Sequence, residues 1–328
     1  MLINAQTHPN TPMKVALIGG EDAALHYATV SARMPQLEFT AVVATDGAAA
    51  KRAATILSAG HIASSLAEML AGNGGICDAV LIHQAAGTAE QSALAAAAAG
   101  KHVLLGAPIA ASSDAAAAVI AACSAAGVTL MAGQTWRFRP SQAAIKKSLD
   151  DGSLGAPGLL RVHVWQGSRR ATEALVMNDG VQALDLATWL FSVPPTEIYA
   201  VGRPGYAQIH CGFPAGGMAV IDCTNAIAAG GEYFSSSVVA ATGAAYADDH
   251  HNRNLLFGDG APRALDAGEG SFAQIAQLAE FVAAIQQRRL PAVSGADGKL
   301  SLELAEAALV SLRNERPVAR TAGGYELN

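Results

Sequence analysis

Aromatic and charged side chains are both scarce in this chain, at 5% and 15% of 328 residues. With 51% hydrophobic residues the composition is that of a globular protein and excludes a disordered coil. Lys and Arg number 21 against 27 Asp and Glu, a net charge of −6, and no basic run offsets it. Nothing here attracts a phosphate backbone, so nucleic acid is not an expected partner. Long apolar runs are missing too. The alanine stretch at 95–99 stops at Gly100, short of the roughly 20 residues a membrane span needs. A membrane partner is not expected. The cysteines are Cys77, Cys123, Cys211 and Cys223, with no CxxC spacing, which argues against a zinc site or a redox pair. Cys211 and Cys223 flank a hairpin turn at 214–217. Pairing about that turn sets Cys211 opposite Val220 and leaves Cys223 on the other face. Free thiols and a cytoplasmic protein are the expectation. Residues 1–12 have neither the charged start nor the apolar core of a signal peptide and read as a flexible tail.

What is present is organised around Lys14 to His26, KVALIGGEDAALH. It reads as a buried strand, a glycine turn at Gly19-Gly20, and a helix. Such a turn aims backbone N–H groups and a helix's positive end at one spot, where a dinucleotide pyrophosphate sits. Counting from Gly19, the second position of G-x-G-x-x-G is Glu21 and the third is Ala24. Alanine meets the packing requirement of the third position. Glutamate at the second sets a charge where the pyrophosphate approaches, unless it is solvated on the first helical turn, where an acid is favoured.

Over residues 13–133, strands and helices alternate. Strands are expected at 14–19, 38–43, 78–83, 102–105 and 129–132, with helices at 22–33, 48–57, 65–71, 88–99 and 113–125. That rhythm predicts a doubly wound Rossmann-type parallel sheet, with ligands at the carboxyl ends of its strands. From 134 to 328 the pattern changes to helices near 141–149 and 181–191 and strands at 160–167, 197–201, 208–213, 218–225 and 235–241. Helices at 272–288 and 300–313 follow. This half reads as a mostly antiparallel sheet flanked by helices, an α+β domain.

In order and spacing these segments resemble the glucose–fructose oxidoreductase / inositol dehydrogenase / MocA (Gfo/Idh/MocA) family of NAD(P)-dependent sugar-type oxidoreductases. The likeness rests on Lys14 to Gly19, Gly100-Lys-His-Val-Leu104 followed by Pro108, Arg137-Phe-Arg-Pro140, Lys146, Gly152, Gly155, Gly180 and Asp185. The layout from Phe272 through Ser311 adds to it. The resemblance implies NAD or NADP over Gly19 and Gly20, with Thr45, His83, Gln84, Gly106, Pro108 and Arg137 as further cofactor-binding positions. It also implies a sugar-like small-molecule ligand, no metal, and a homo-dimer or tetramer through the C-terminal sheet.

Against the family's pattern, the chemistry-bearing positions differ. The lysine of the Glu-Lys-Pro triplet is Ala107, and the Asp and His of the acid/base segment are Asn178 and Gln182. Helical spacing puts 178, 182 and 185 on one face. The ribose-gripping carboxylate falls on Ala44, with Thr45 and Asp46 just beyond. Asp46 substitutes for it if the loop is shorter; otherwise its loss is compatible with NADP, although no arginine is clearly placed for the extra phosphate and Lys51 and Arg52 are only the nearest basic residues. The Thr-Pro after the fourth strand is His83-Gln84, and the family's next His is Thr88. The leading expectation is therefore a ligand- or partner-binding protein with weak or absent nucleotide affinity. The alternative is a working oxidoreductase acting on a sugar, polyol or related small molecule, with His83, His163 or Asp185 as stand-ins. A redox-free lyase or isomerase using Asp179 or Asp185 is a third. Asp248-Asp249-His250-His251 reads as a solvated loop rather than a metal cluster, and Arg169-Arg170 as a solvated pair.

Overall fold

The computed structural model describes residues 11–72, 75–167, 171–226, 233–248, 254–256, 263–265 and 269–328. The expected tail over 1–12 thus falls almost wholly outside the described residues, as do Arg169-Arg170 and His250-His251. Two compact units emerge: one runs up to Gly133 and takes in Gln274–Gly295, the other comprises Gln134–Ala273 and Ala296–Asn328.

In the first unit the order is β1 (Met13–Ile18), α1 (Glu21–Arg33), β2 (Leu37–Val43), α2 (Gly47–Leu57), β3 (His61–Ala63) and α3 (Leu66–Gly72). Then come β4 (Ala79–Ile82), α4 (Ala86–Ala98), β5 (His102–Gly106), α5 (Ser113–Ala125) and β6 (Leu130–Gly133). The six strands are parallel in the order β3-β2-β1-β4-β5-β6, so the expected doubly wound sheet is present. Its central strands are covered on both faces, which is why Val15 to Ile18 and Ala79 to Ile82 are uninterrupted apolar runs. Alanine makes the covering helices thin: α4 buries Ala89, Ala93, Ala96 and Ala97. Only the three-residue β3 escaped sequence reading. Gly106 and Gly133 lie opposite one another in register at the ends of β5 and β6. A Cβ on Gly133 would come within 2.8 Å of the Gly106 Cα and 2.9 Å of the Leu105 carbonyl oxygen. Only glycine fits there.

The remaining elements are α6 (Pro140–Asp150), β7 (Pro157–Trp165), α7 (Thr172–Leu175), α8 (Val181–Phe191), β8 (Glu197–Arg203), β9 (Tyr206–Gly212), β10 (Met218–Thr224) and β11 (Tyr233–Ala240). They continue with β12 (Ala244–Asp248), β13 (Asn254–Leu256), β14 (Arg263–Leu265), α9 (Glu269–Gln287), α10 (Gly295–Asn314), β15 (Val318–Thr321) and β16 (Gly324–Leu327). Eight strands form one sheet, β12-β11-β7-β10-β9-β8-β15-β16, in which β7 and β10 pair parallel and the other pairs are antiparallel. Leu160, Val162, Val164, Ile209 and Ile221 are fully buried on the face that α8 covers. The closing hairpin of β15 and β16 and the short strands β12 to β14 carry too few apolar residues to have been read from period-two alternation.

The β9–β10 register corrects one expectation. Cys211 lies opposite Ala219, not Val220, and Cys223 opposite Ala207. A one-residue slip changes faces, so both cysteines are buried in the apolar layer. All four thiols are nevertheless free. Burial pushes each of them up, Cys123 to about 11 and Cys211 to about 12.

The second unit is tied internally by an ion pair. Arg137 sits on a 3-10 turn, Thr135–Phe138, and is only 9% exposed. Its Nε donates to Asp185 Oδ2 at 2.7 Å and its Nη2 to Asp185 Oδ1 at 2.5 Å. Nη2 also reaches Asp297 Oδ1 at 3.2 Å, and the Ser301 hydroxyl stands 3.2 Å from Asp185 Oδ1. The turn, α8 and α10 are thereby joined. Burial pushes the Asp185 carboxyl up while the guanidinium opposes it. Burial works against the Arg137 cation as well, and Asp185 and Asp297 more than offset that.

Arg137→Met strands the buried Asp185 charge and should cost about 3–5 kcal/mol in chemical denaturation, with the Arg137→Met/Asp185→Leu double variant regaining much of the loss. Equal destabilisation in the double variant would contradict an uncompensated charge as the cause. Gly133→Ala should cost about 1–3 kcal/mol through overpacking. Gly20→Ala, whose Cβ would meet nothing within 4 Å, should leave the denaturation midpoint nearly unchanged.

Candidate functional site

Because the first sheet is parallel, the carboxyl ends of its strands share one edge. They deliver Gly19-Gly20 after β1, Ala44-Thr45 after β2, His83-Gln84 after β4, Gly106-Ala107-Pro108 after β5 and Gly133 at the end of β6. A ligand of such a sheet belongs at this edge.

The turn after β1 is built for close approach. Gly19 still donates its N–H to the Val43 carbonyl at 3.0 Å, extending the β1–β2 ladder. A Cβ on Gly19 would lie 2.9 Å from Ala23 Cβ and 3.0 Å from the His83 carbonyl oxygen. Gly20 is the N-cap of α1 and offers no side chain to its free N–H groups. Uncapped donors, a positive helix end and open space at Gly20 are what an anionic diphosphate requires, and the residues present fit one.

Glu21 is partly exposed on the first turn of α1, the alternative in which its charge is kept from the pyrophosphate. Its Oε2 accepts from Arg52 Nε at 2.6 Å, so the carboxylate is drawn to α2 and paired. At the end of β2, Asp46 caps α2, its Oδ1 accepting from the N–H groups of Ala48 (2.8 Å) and Ala49 (3.2 Å). Those backbone bonds hold its carboxyl below the usual carboxylate range. Thr45 is exposed beside it.

His83 follows β4 and turns to α1. Its ring lies 5.4 Å from that of His26 and 6.4 Å from that of Tyr27. Partial burial holds both imidazoles below their ordinary value, and the nearby His83 lowers His26 further. No sequence signal pairs residues 26 and 83. Gln84 is taken up too, its Oε1 accepting from Ser92 Oγ of α4 at 2.8 Å. A Cβ on Gly106 would lie 3.3 Å from the Ile82 carbonyl oxygen, and the Ala107–Pro108 bond is cis. Ala107 carries no ionisable group.

In the second unit, Asn178 and Gln182 are separated by a turn of different pitch. Val176–Gly180 is a π-helical turn leading into α8, so the simple helical count from 178 to 185 does not hold across it. Asn178 Nδ2 donates to the Ala174 carbonyl at 2.6 Å, and Gln182 Oε1 is buried with no hydrogen-bond partner among the described residues. Asp179 is half-buried in the π turn. Asp185, a candidate stand-in, is 2% exposed and gripped by Arg137. Arg137, expected to bind cofactor, has its Nε and Nη2 donors taken by that carboxylate and by Asp297.

His163 lies on the face that alternation along β7 assigns to it. On β7, Val162 and Val164 face the layer under α8, so His163 faces the opposite side of the sheet. There it bonds Asp222 Oδ1 through Nδ1, and Trp165 Nε1 donates to Asp222 Oδ2 at 3.0 Å. It is not brought together with Asn178, Gln182 or Asp185. Among the described residues no group of His, Cys, Asp and Glu is arranged to hold a metal, and no helix is long and apolar enough to cross a membrane.

Comparison with known proteins agrees with this geometry. Residues 13–134 match the family described as "Oxidoreductase family, NAD-binding Rossmann fold". Myo-inositol 2-dehydrogenase of Thermotoga maritima is 25% identical over 267 residues, 74% of this chain and 79% of that protein. D-apiose dehydrogenase of Paraburkholderia graminis is 28% identical over 228 residues, 60% of each. Among solved structures, GenD2 from gentamicin A biosynthesis, crystallised with NAD, superposes with a TM-score of 0.86 at 22% identity, covering 98% of this chain and 100% of that one. With the parallel sheet and the glycine turn in place, these matches identify residues 13–134 as an NAD-binding Rossmann domain of the Gfo/Idh/MocA oxidoreductase family, and the chain as a whole shares the fold of GenD2 and is similar in sequence to the two sugar-type dehydrogenases.

Proposed function

We propose that the chain binds a nicotinamide dinucleotide over Gly19-Gly20 and a sugar- or polyol-like small molecule, and that its dehydrogenase turnover is strongly reduced or absent. The observation that carries this reading is the side-chain chemistry at Ala107, Asn178 and Gln182, none of which can exchange a proton near neutral pH. A bound nicotinamide supplies a two-electron hydride carrier; oxidising an alcohol also requires a group that takes the hydroxyl proton. Two ionisable candidates, one in each unit, are committed elsewhere. Asp185 is locked against Arg137, and His83 is turned toward His26 and Tyr27. Retained nucleotide binding is supported by the uncapped start of α1 and by the pairing of Glu21 with Arg52, which removes the one obvious repulsive charge. The ligand class follows from relatives that act on myo-inositol and D-apiose.

A second reading, an active oxidoreductase on such a substrate, is favoured by those same relatives. The two readings differ in turnover rather than in binding.

The outer face of the second sheet supports assembly with a further copy of this chain. Val201, Met218, Val239 and Tyr246 come from four strands, lie on the side away from α8, and are 38–75% exposed. An apolar face of this kind is an interaction surface.

Titration of the purified protein with NADH and NADPH should give binding. Turnover on a panel of inositols, pentoses and hexoses should lie about 100- to 10,000-fold below the usual enzymatic range of roughly 10 s⁻¹. The Ala107→Lys/Asn178→Asp/Gln182→His triple variant should raise the rate. Ordinary turnover by the unaltered protein establishes the second reading instead. Light scattering after gel filtration should report a dimer or larger, and Met218→Glu should shift it toward the monomer. An unshifted mass would place the contact elsewhere.

A further inference from the structure

Arg52 stands at the mouth of the dinucleotide turn for a reason the family pattern does not supply. It lies in the second turn of α2, yet its side chain crosses to the first residue of α1, where Glu21 holds Nε at 2.6 Å. The terminal nitrogens Nη1 and Nη2 make no hydrogen bond among the described residues, and the side chain is 55% exposed. A guanidinium fixed by one edge and free along the other is prepared for a bidentate anion.

The surrounding residues define which anion. In a sheet of this topology, the adenosine ribose lies at the end of β2, where a carboxylate receives the 2′-hydroxyl of NAD and an arginine the 2′-phosphate of NADP. Here β2 ends in Val43, followed by Ala44, which has no carboxylate, and Thr45, which is neutral. The next acid, Asp46, directs Oδ1 into the first turn of α2. No carboxylate at this strand end is left with its hydrogen-bonding capacity undivided, whereas a cation is positioned with two donors to spare. Lys51, the other basic side chain nearby, lies next to Arg52 on α2 without a tether among the described residues.

We propose that Arg52, positioned by Glu21, binds the 2′-phosphate of the adenosine ribose and makes this chain an NADP(H)-selective member of its family. The assignment rests on the dinucleotide reading given above. Glu21 keeps Nε while the phosphate takes Nη1 and Nη2, so a residue that looks misplaced in the glycine fingerprint becomes the positioning residue of the phosphate site. The preference is sensitive to salt, because the guanidinium is exposed.

Isothermal titration of the full chain with 2′,5′-ADP and with 5′-AMP isolates the adenosine half from any redox chemistry. Charge-assisted bonds to phosphate correspond to about a 10- to 100-fold advantage for 2′,5′-ADP over 5′-AMP, with NADPH favoured over NADH in similar ratio. Arg52→Gln should erase that advantage, bringing the affinities of the variant for 2′,5′-ADP and 5′-AMP within about twofold of each other, whatever the unpaired Glu21 does to both alike. An unchanged melting temperature for the variant confirms that it is folded. Equal or tighter binding of 5′-AMP and NADH overturns the phosphate assignment and leaves the dinucleotide reading standing. So does an advantage that survives Arg52→Gln. Failure of every one of these nucleotides to bind overturns both.

Discussion

A guanidinium removed from water must meet its counter-charges inside the protein, and much of the second unit is arranged to satisfy Arg137. The demand is costly to leave unmet: a buried charge without a partner loses its solvation and regains nothing. Meeting it requires a 3-10 turn to present the side chain, α8 to bring Asp185, and α10 to bring Asp297 and Ser301. Segments separated by 48 and 160 residues are thus held to one point. The same bond has a chemical consequence. A carboxylate forked by arginine and sealed from solvent is poorly available as a base, so the single acid of α8 serves architecture.

The first unit is constrained by close approach rather than by charge. Gly19 and Gly133 sit where any Cβ would strike backbone or a neighbouring Cβ, and both lie at the ligand edge of the sheet. Glycine at these points lets strand ends crowd together while the start of α1 stays open. A dinucleotide is recognised largely by backbone N–H groups at such a turn.

Much of the architecture was legible in the chain itself. Buried parallel strands announce themselves as apolar runs, and the Gly19-Gly20 turn marks the edge where a ligand belongs. The contacts that the sequence does not announce share a cause. Glu21 and Arg52 are 31 residues apart, His26 and His83 are 57, and no local period relates them; only the packing of α1 against α2 and β4 does. The face of His163, by contrast, was legible from strand alternation, which puts it on the side of the sheet away from α8. The cysteine register slipped by one residue because the hairpin turn was centred one half-step from where the glycines suggested. Arg137 was recognised as important by resemblance, and its partners by nothing in the sequence.

The four thiols carry a final implication. Each is buried in an apolar layer that suppresses the thiolate, the form that reacts with electrophiles and oxidants. They are spread across both units: Cys77 and Cys123 in the first, Cys211 and Cys223 in the second. Labelling by a maleimide or iodoacetamide therefore requires the enclosing layer to open, and peptide mapping of the adducts reads out which half breathed. The chain carries its own paired clocks for local unfolding, without an engineered probe.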